Sequence, residues 1–206
     1  MYDKENGTVD DGHGEIPEER ILFFDVQEVP LHDFEASGYI LDIGGGGEGI
    51  IGRLKGEQVI AIDPSIRELE EAPSGPLKVV MDARNLQFLD SSFLTATAFF
   101  TLMYIKASDH ERVLSEVLRV LKPSGRFLIW DVVLPTRLEE DKDVAAFPLL
   151  VSLPGEELEV AYGALWPMRD QELSYYLAMS AKLGFEVVDH WEKDRILFLE
   201  LAKPQS

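Results

Sequence analysis

The chain has 206 residues, the length of one domain with modest additions, and 46% of them are hydrophobic, which is enough for a sizeable core. It contains no cysteine, which excludes disulfides, thiolate metal sites and cysteine nucleophiles. Its 38 acidic and 19 basic side chains give a net charge of -19, a surface that would repel nucleic acid. No membrane-spanning run and no secretion signal is recognisable, so we expect a soluble, cytoplasmic protein without a membrane partner.

The beginning of the chain contains few large apolar side chains. Residues 1–19 hold seven acids and three glycines, which predicts an acidic, flexible tail. Residues 20–31 are apolar enough to dock on a core, either as an extended segment or as a short helix. We therefore expect one folded domain over residues 20–206.

From residue 39 onward, short apolar strands alternate with helices. The segments YILDI, QVIAI, LKVVM, LTATAFF and RFLIWDV are predicted strands, and a short helix follows each of the first two. A longer helix precedes the fifth strand; Ser108 and Glu111 have the spacing of a capping box at its start, and KPSG ends it. Such alternation predicts a parallel sheet that is covered on both faces.

The alternation changes after Pro135. The apolar runs on either side of a PGE turn predict a hairpin, and we expect residues 136–167 to form an inserted hairpin or cap segment. Asp170 is predicted to cap a helix that ends at Gly184. Residues 185–204 predict two strands whose short EKD connection requires an antiparallel hairpin. This ending differs from the ordinary dinucleotide-binding topology.

A run of glycines follows the first predicted strand, in the sequence LDIGGGGEG. Glycine is costly inside regular elements, so such a run usually lets a bound molecule approach the backbone. Gly44, Gly46 and Gly49 match the dinucleotide fingerprint. Asp42, Gly44 and Gly46 match the first motif of class I S-adenosylmethionine-dependent methyltransferases. Asp42 favours the second match, because its charge would oppose a pyrophosphate and suits a cationic ligand.

Further segments resemble the same family, in the type 11-like group, and they occur in the family's order. Asp63 ends the second strand, where the family's acid accepts hydrogen bonds from the two ribose hydroxyls. Asp63 alone does not discriminate, because an acid at the end of the second strand would serve NAD as well. Asp82 and Ala83 resemble the family's adenine clamp. Residues 91–131 resemble the fourth and fifth motifs, including the LKPSG turn.

The resemblance implies an α/β fold: a Rossmann-like, mostly parallel seven-stranded sheet of order 3-2-1-4-5-7-6, with an antiparallel last strand and helices on both faces. It also implies S-adenosylmethionine as the cofactor. The cofactor-binding residues carried over by this resemblance are Asp42, Gly44, Gly45, Gly46, Asp63, Pro64, Asp82, Ala83, Phe99 and Phe100. Among the departures from the family, Glu48 replaces the third motif glycine, Leu94 stands where strand four often starts with an acid, Met103 or Tyr104 stands where a His is often found, and no long covering helix is evident before the first strand.

The candidate catalytic residues are few. Asp131, at the carboxyl end of the fifth strand, is a candidate base or a strand-end cap, and Tyr104 is the second candidate. Asp42 as an orienting acid and Asp63 as a helix cap are alternatives that also stay open. The four histidines lack metal-ligand spacing and are expected at the surface, so no metal site is predicted.

These features predict methyl transfer to a small-molecule or protein acceptor by in-line displacement, in a monomer or homodimer. The alternative is a non-catalytic cofactor-binding or protein-interaction domain on the same fold, which Glu48 and the missing helix keep open. An NAD-dependent oxidoreductase is disfavoured by Asp42 and the terminal hairpin. Tyr162 and Trp166 of the inserted hairpin are expected to lie over the methyl end of the site, at the carboxyl ends of the fourth and fifth strands.

Overall fold

The computed structural model describes residues 2–3, 8–10, 15–134, 141–166 and 171–205. The strands are β1 (Tyr2–Asp3), β2 (Thr8–Asp10), β3 (Glu15–Ile16), β4 (Ile21–Phe23), β5 (Gln27–Pro30), β6 (Ile40–Ile43), β7 (Val59–Asp63), β8 (Leu77–Val80), β9 (Phe93–Phe99), β10 (Leu121–Val132), β11 (Val144–Leu153), β12 (Glu156–Leu165), β13 (Glu186–Lys193) and β14 (Ile196–Ala202). The α-helices are α1 (Ile50–Lys55), α2 (Ile66–Glu71), α3 (Ala107–Val120) and α4 (Leu173–Leu183). Short 3-10 turns cover Glu18–Arg20, Gly56–Gln58 and Leu102–Tyr104.

Seven strands form the central sheet in the order β13-β14-β10-β9-β6-β7-β8. The strands from β10 to β8 are parallel neighbours, and β14 is antiparallel to both β10 and β13. Read from β8, this is the order 3-2-1-4-5-7-6 with an antiparallel last strand. The predicted fold is therefore confirmed.

The central strand β6 is buried along its whole length, because its apolar side chains are covered on both faces of the sheet. On one face, Ile51 of α1 and Leu69 of α2 pack in a cluster with Ile40. On the other face, α3 and α4 pack against the sheet in a second cluster. Helices on both faces agree with the prediction.

A smaller sheet of order β12-β11-β4 packs on the same face as α1 and α2, and β5 also pairs with β11. The antiparallel pairing of β11 with β12 confirms the hairpin expected in the inserted segment. Strands β4 and β5 run parallel to β11, so residues 20–31 form extended structure after a short 3-10 turn. Inward side chains such as Phe147 pack in one cluster with Trp130 of β10 and Phe198 of β14.

Two local predictions are wrong. The capping box at Ser108 does not form, because α3 begins at Ala107 and its first turn is closed by the Asp109 amide donating to the Lys106 carbonyl. Ser108 therefore lies inside the helix, past the capping position. His110 is fully buried rather than at the surface, because its Nε2 contacts the carbonyl oxygens of Leu102 and Ile105 at 2.9 Å.

The helix stops are where the glycines predict them. The amides of Gly56 and Gly184 close the last turns of α1 and α4, and both residues have positive φ angles. Asp170 lies outside the described residues, and α4 begins after Glu172. Within the described ranges, no helix is long and apolar enough to cross a membrane, and no group of three or more acids and histidines could hold a metal ion.

Candidate cofactor and acceptor site

The glycine turn joins β6 to α1 at the carboxyl edge of the parallel strands, where ligands bind in open α/β sheets. The amides of Gly44 and Gly45 donate to the Ile62 carbonyl at 2.8 and 3.0 Å, which fixes the turn to β7. Gly44 has a φ of 72°, and a Cβ there would collide with the Thr101 side chain. Thr101 in turn donates its hydroxyl to the Ile43 carbonyl at 2.8 Å. These hydrogen bonds join the ends of β6, β7 and β9. They require a left-handed backbone and no side chain at residue 44, which glycine provides.

The next part of the turn packs against α2. A Cβ on Gly46 would lie 2.6 Å from Glu68 Cβ and 3.0 Å from Asp63 Oδ2. The Gly47 amide donates to the Glu68 carbonyl at 2.8 Å. The carboxylate that ends β7 is therefore in direct reach of the glycine turn.

Glu48 occupies the third motif position without disturbing the turn. Gly47 and Gly49 on either side of it have φ angles of 58° and 55°, a left-handed conformation that favours glycine. Gly49 precedes α1, and a Cβ there would lie 2.8 Å from Pro73 Cδ. The close packing of the start of α1 against the segment after α2 is therefore made by Gly49, one residue later than in the motif, and Glu48 is left with a half-buried side chain at the site.

Asp42 is buried beneath the turn and only 2% exposed. Its Oδ1 accepts a hydrogen bond from the Thr97 hydroxyl at 2.7 Å, and a Cβ on Gly45 would lie 2.6 Å from its Oδ2. Burial raises the pKa of Asp42 to about 7, and the negative charge of Asp63 acts in the same direction. This position suits an acid that orients the turn, and when Asp42 is ionised it places negative charge directly below the turn.

Asp63 is half-buried at the carboxyl end of β7. Burial raises its pKa, while interactions with the amides of Ser65 and Gly46 oppose this rise. The hydrogen bond from the Ser65 amide to Asp63 Oδ1 measures 2.8 Å. The side chain that caps α2 is Ser65, whose hydroxyl accepts from the Glu68 amide at 3.3 Å. Asp63 is therefore not the cap residue itself.

Asp82 follows β8 and is held by a cation. Arg84 donates to both of its carboxylate oxygens, with a shortest distance of 2.6 Å, and also pairs with Asp109 at 3.0 Å. The hydrogen bond from Arg84 holds the pKa of Asp82 below its ordinary value. The Asp82 side chain is still 41% exposed, so a ligand amine can approach it. Ala83 beside it is buried, and Pro64 is exposed.

Asp131 is completely buried at the end of β10. Its Oδ2 accepts from the amides of Leu102 and Met103 at 2.8 and 3.3 Å, and its Oδ1 accepts from the Val132 amide at 2.8 Å. Burial raises the pKa of Asp131 to about 7, against the opposing effect of these amides. The geometry favours the strand-end cap, which fixes the turn that carries Tyr104.

The aromatic residues at the end of β9 lie below the hairpin. Phe99 and Phe100 are buried, and Phe100 has a φ of 49°, which is uncommon for a residue of this size. Tyr162 of β12 stacks on Phe100 at 5.4 Å, as the predicted position of the hairpin requires. Trp166 instead packs against Phe24, with ring centroids 6.0 Å apart.

Tyr104 lies beside this aromatic group and is 49% exposed as a residue. Burial of its hydroxyl end raises the pKa of Tyr104, and the charge of Glu48 adds to the rise. The Gly163 amide of β12 acts against this rise in the pKa of Tyr104. The structure therefore brings Tyr104 to the hairpin and to the glycine turn, whereas the carboxylate of Asp131 is enclosed.

Three contributors were missed from the sequence: Thr97, Thr101 and Glu48, whose charge acts on Tyr162. Thr97 lies in β9 and Thr101 in the turn after it, so both stand in a mostly apolar segment of the sequence. Their roles depend on pairing between β9 and β6, which are distant in sequence. Only the unusual acid among glycines at position 48 gave a signal.

The fold is that of class I S-adenosylmethionine-dependent methyltransferases. Residues 41–129 match the family model of a methyltransferase domain, and this stretch contains the glycine turn and the acids Asp63 and Asp82. The resemblance stated from the motifs is therefore confirmed.

Solved structures of similar fold share little sequence with this chain. An S-adenosylmethionine-dependent methyltransferase from Methanosarcina mazei is 20% identical with a TM-score of 0.57, over 84% of this chain and 95% of the other. One from Mesorhizobium loti is 17% identical with a TM-score of 0.56, over 82% of this chain and 92% of the other. The [4+2]-cyclase SpnF is 16% identical with a TM-score of 0.60, over 84% of this chain and 76% of the other. The same fold thus carries different reactions.

A curated relative matches a short part of the chain. The sterol 4-C-methyltransferase strm-1 of Caenorhabditis elegans is 36% identical over 63 residues, which are 31% of this chain. The match spans only 18% of that relative's length.

Proposed function

We propose that this protein transfers a methyl group from S-adenosylmethionine to a small-molecule or protein acceptor by in-line displacement. The observation that carries the proposal is the charge at the glycine turn. Asp42 Oδ2 and Asp63 Oδ2 lie 2.6 and 3.0 Å from where Cβ atoms on Gly45 and Gly46 would be, and Glu48 is half-buried on the same turn. Such a turn suits a ligand with an ammonium and a sulfonium, and it opposes the two phosphates of NAD.

The residues present fit this cofactor. A Cβ at Gly44 or Gly46 would collide with Thr101 or Glu68, so glycine lets these elements pack closely around the turn where the cofactor would lie. The half-buried Asp63 would accept hydrogen bonds from the ribose hydroxyls. Asp82 and the amide of Ala83 would hold the adenine, and Phe100 belongs to the apolar wall.

When bound, S-adenosylmethionine supplies an electrophilic methyl group on a positively charged sulfur. The contribution of the chain is to hold the acceptor about 3–3.5 Å from that group and in line with it. Tyr104 and Tyr162 would line the side of the site from which an acceptor enters. Asp131 would support this wall by capping the turn of Tyr104, and a base is needed only if the acceptor must lose a proton.

The second candidate is a non-catalytic cofactor-binding or protein-interaction domain on the same fold. The observation that favours its protein-interaction form is the ion pair of Asp82 with Arg84, which already engages both oxygens of the acid that would bind the adenine. We further propose a cytoplasmic monomer or homodimer with an acidic tail over residues 1–19 and a cap formed by residues 136–167.

Methyl transfer can be tested with a cofactor that carries an isotopically labelled methyl group. The protein is incubated separately with small-molecule and protein fractions of a cell extract, and label is expected in one of them. An Asp63→Ala variant should lose most of the transfer, whereas Glu186→Ala, an exposed acid on the edge strand, should not. Tight cofactor binding without labelled product in either fraction would support the non-catalytic candidate.

A further inference from the structure

His110 lies in the first turn of α3 and is fully buried, with polar groups against both of its ring nitrogens. Its Nε2 lies 2.9 Å from the carbonyl oxygen of Leu102 and 2.9 Å from that of Ile105. Its Nδ1 lies 3.1 Å from the Tyr175 hydroxyl of α4. Because a carbonyl oxygen can only accept, Nε2 has to carry a proton, which the two carbonyls share.

The Tyr175 hydroxyl is compatible with a proton on Nε2 in both charge states of the ring. In a neutral ring, Nδ1 is a bare acceptor, and the hydroxyl donates to it. In a charged ring, Nδ1 donates to the hydroxyl oxygen, and the hydroxyl donates to the Ala107 carbonyl at 3.3 Å. The surroundings of His110 therefore direct an N–H group toward the two carbonyls in either case.

Those carbonyls belong to the turn that carries Tyr104, which covers Leu102–Tyr104 and is followed by Ile105. Asp131 holds the same turn from β10, because its Oδ2 accepts from the first two amides of the turn at 2.8 and 3.3 Å. The turn is thus fixed from two sides: Asp131 accepts from its amides, and His110 donates to its carbonyls.

The turn is also connected to the glycine turn. Thr101, which immediately precedes it, donates its hydroxyl to the Ile43 carbonyl at 2.8 Å. A Cβ on Gly44 would lie only 2.4 Å from Thr101 Oγ1, so the two segments are in close contact. A displacement of the turn of Tyr104 would therefore disturb Thr101 and the backbone around Gly44.

We propose that His110 is a positioning residue, whose Nε2–H group holds the turn of Tyr104 and thereby fixes Tyr104 and Thr101 beside the glycine turn. This rests on the proposed function, which assigns Tyr104 to the acceptor side of the bound cofactor. A buried ring that only filled space could be exchanged for an apolar side chain without effect on the turn, whereas a hydrogen-bond donor could not.

The first test is the nitrogen NMR spectrum of the histidine rings in the wild-type chain without ligand, which shows which ring nitrogen is protonated. The signals of His110 are assigned by their loss in His110→Gln. We expect a proton on Nε2 of His110. A ring that carries its proton on Nδ1 alone would overturn the proposal, because Nε2 would then have nothing to donate to the turn.

The second test measures amide hydrogen exchange at Leu102 and Met103 without ligand, and the dissociation rate of S-adenosylhomocysteine. His110→Leu removes the donor and should raise both rates about fivefold, the effect expected for the loss of one hydrogen bond. His110→Gln keeps an N–H donor and should stay within about twofold of the wild type.

Two neighbouring tyrosines provide a matched pair of variants. The rings of Tyr175 and Tyr176 lie 5.8 and 5.7 Å from the ring of His110. The Tyr175 hydroxyl reaches Nδ1, whereas the Tyr176 hydroxyl donates to Gln171 Oε1 at 3.3 Å. Tyr175→Phe should therefore raise both rates, and Tyr176→Phe should leave both unchanged.

Rates in His110→Leu that equal those of the wild type would overturn the proposal, and so would a Gln variant as fast as the Leu variant. Exchange in β6 serves as a check that the core is intact, and if His110→Leu does not fold, His110→Gln, Tyr175→Phe and the ring spectrum still decide. If the wild type binds no S-adenosylhomocysteine, the proposed function fails, while the ring spectrum and exchange in the turn still test the role of His110 by themselves.

Discussion

The buried carboxylate of Asp42 makes folding stability depend on pH. Its pKa rises from an ordinary 3.8 to about 7 in the folded protein, so the folded state holds the proton more tightly than the unfolded chain. The contribution to stability is complete below pH 4 and is lost as the pH rises toward 7 and above. At about 1.36 kcal/mol per pKa unit, the full loss is about 4 kcal/mol, of which about 2 kcal/mol falls between pH 5.5 and 8.

Replacing Asp42 with Asn removes this dependence and keeps an oxygen that can accept from the Thr97 hydroxyl. The variant should be more stable than the wild type at pH 8, and its advantage should shrink by about 2 kcal/mol at pH 5.5. Urea unfolding across this range measures the difference. Asp189→Asn, an exposed carboxylate on the edge strand, should follow the wild type throughout.

Parallel pH profiles for the wild type and Asp42→Asn would refute the reasoning, because they would show that the buried acid keeps an ordinary proton affinity. A second result concerns function. If Asp42 supplies charge to a cationic cofactor, the more stable variant should bind S-adenosylmethionine more weakly, above all at pH 8. Unchanged affinity would assign Asp42 to orienting the turn.

Three further substitutions test the site. Asp63→Ala should weaken S-adenosylhomocysteine binding by about 1.5–3 kcal/mol in calorimetry, because charged hydrogen bonds are lost, with little change in the thermal midpoint; an unchanged affinity would refute its role. Asp131→Ala should lower the free energy of unfolding by about 2–4 kcal/mol, since the amides it caps lose their acceptor, and Asn should recover part; a stable but inactive Ala variant would instead identify a base. Arg84→Met should leave the thermal midpoint almost unchanged, because the pair is exposed, and should tighten cofactor binding by releasing Asp82. Weaker binding would show that Arg84 itself holds the ligand.

The fold could be predicted because its signals are local. Short apolar strands and the glycine stops at Gly56 and Gly184 depend on neighbouring residues only, and the motif order supplied the topology. The open question about residues 20–31 was decided by long-range pairing with β11, which no local pattern contains.

The site was predictable only in outline for the same reason. The strand-end positions of Asp42, Asp63 and Asp82 follow from the motifs, but their partners come from distant segments or from unremarkable neighbours such as Thr97 and Arg84. The capping box at Ser108 failed because the preceding turn, held by Asp131 from β10, lets the helix begin earlier. His110 was misplaced because its burial depends on that same turn and on α4.

The central claim is that the acidic glycine turn binds a sulfonium cofactor and not a dinucleotide. Titration calorimetry with S-adenosylmethionine, S-adenosylhomocysteine and NAD on the wild-type chain tests it most directly. We expect saturable binding of both sulfur nucleosides, weakened in Asp63→Ala and preserved in Glu186→Ala, with no measurable heat from NAD. Saturable binding of NAD with no response to either sulfur nucleoside would contradict the account.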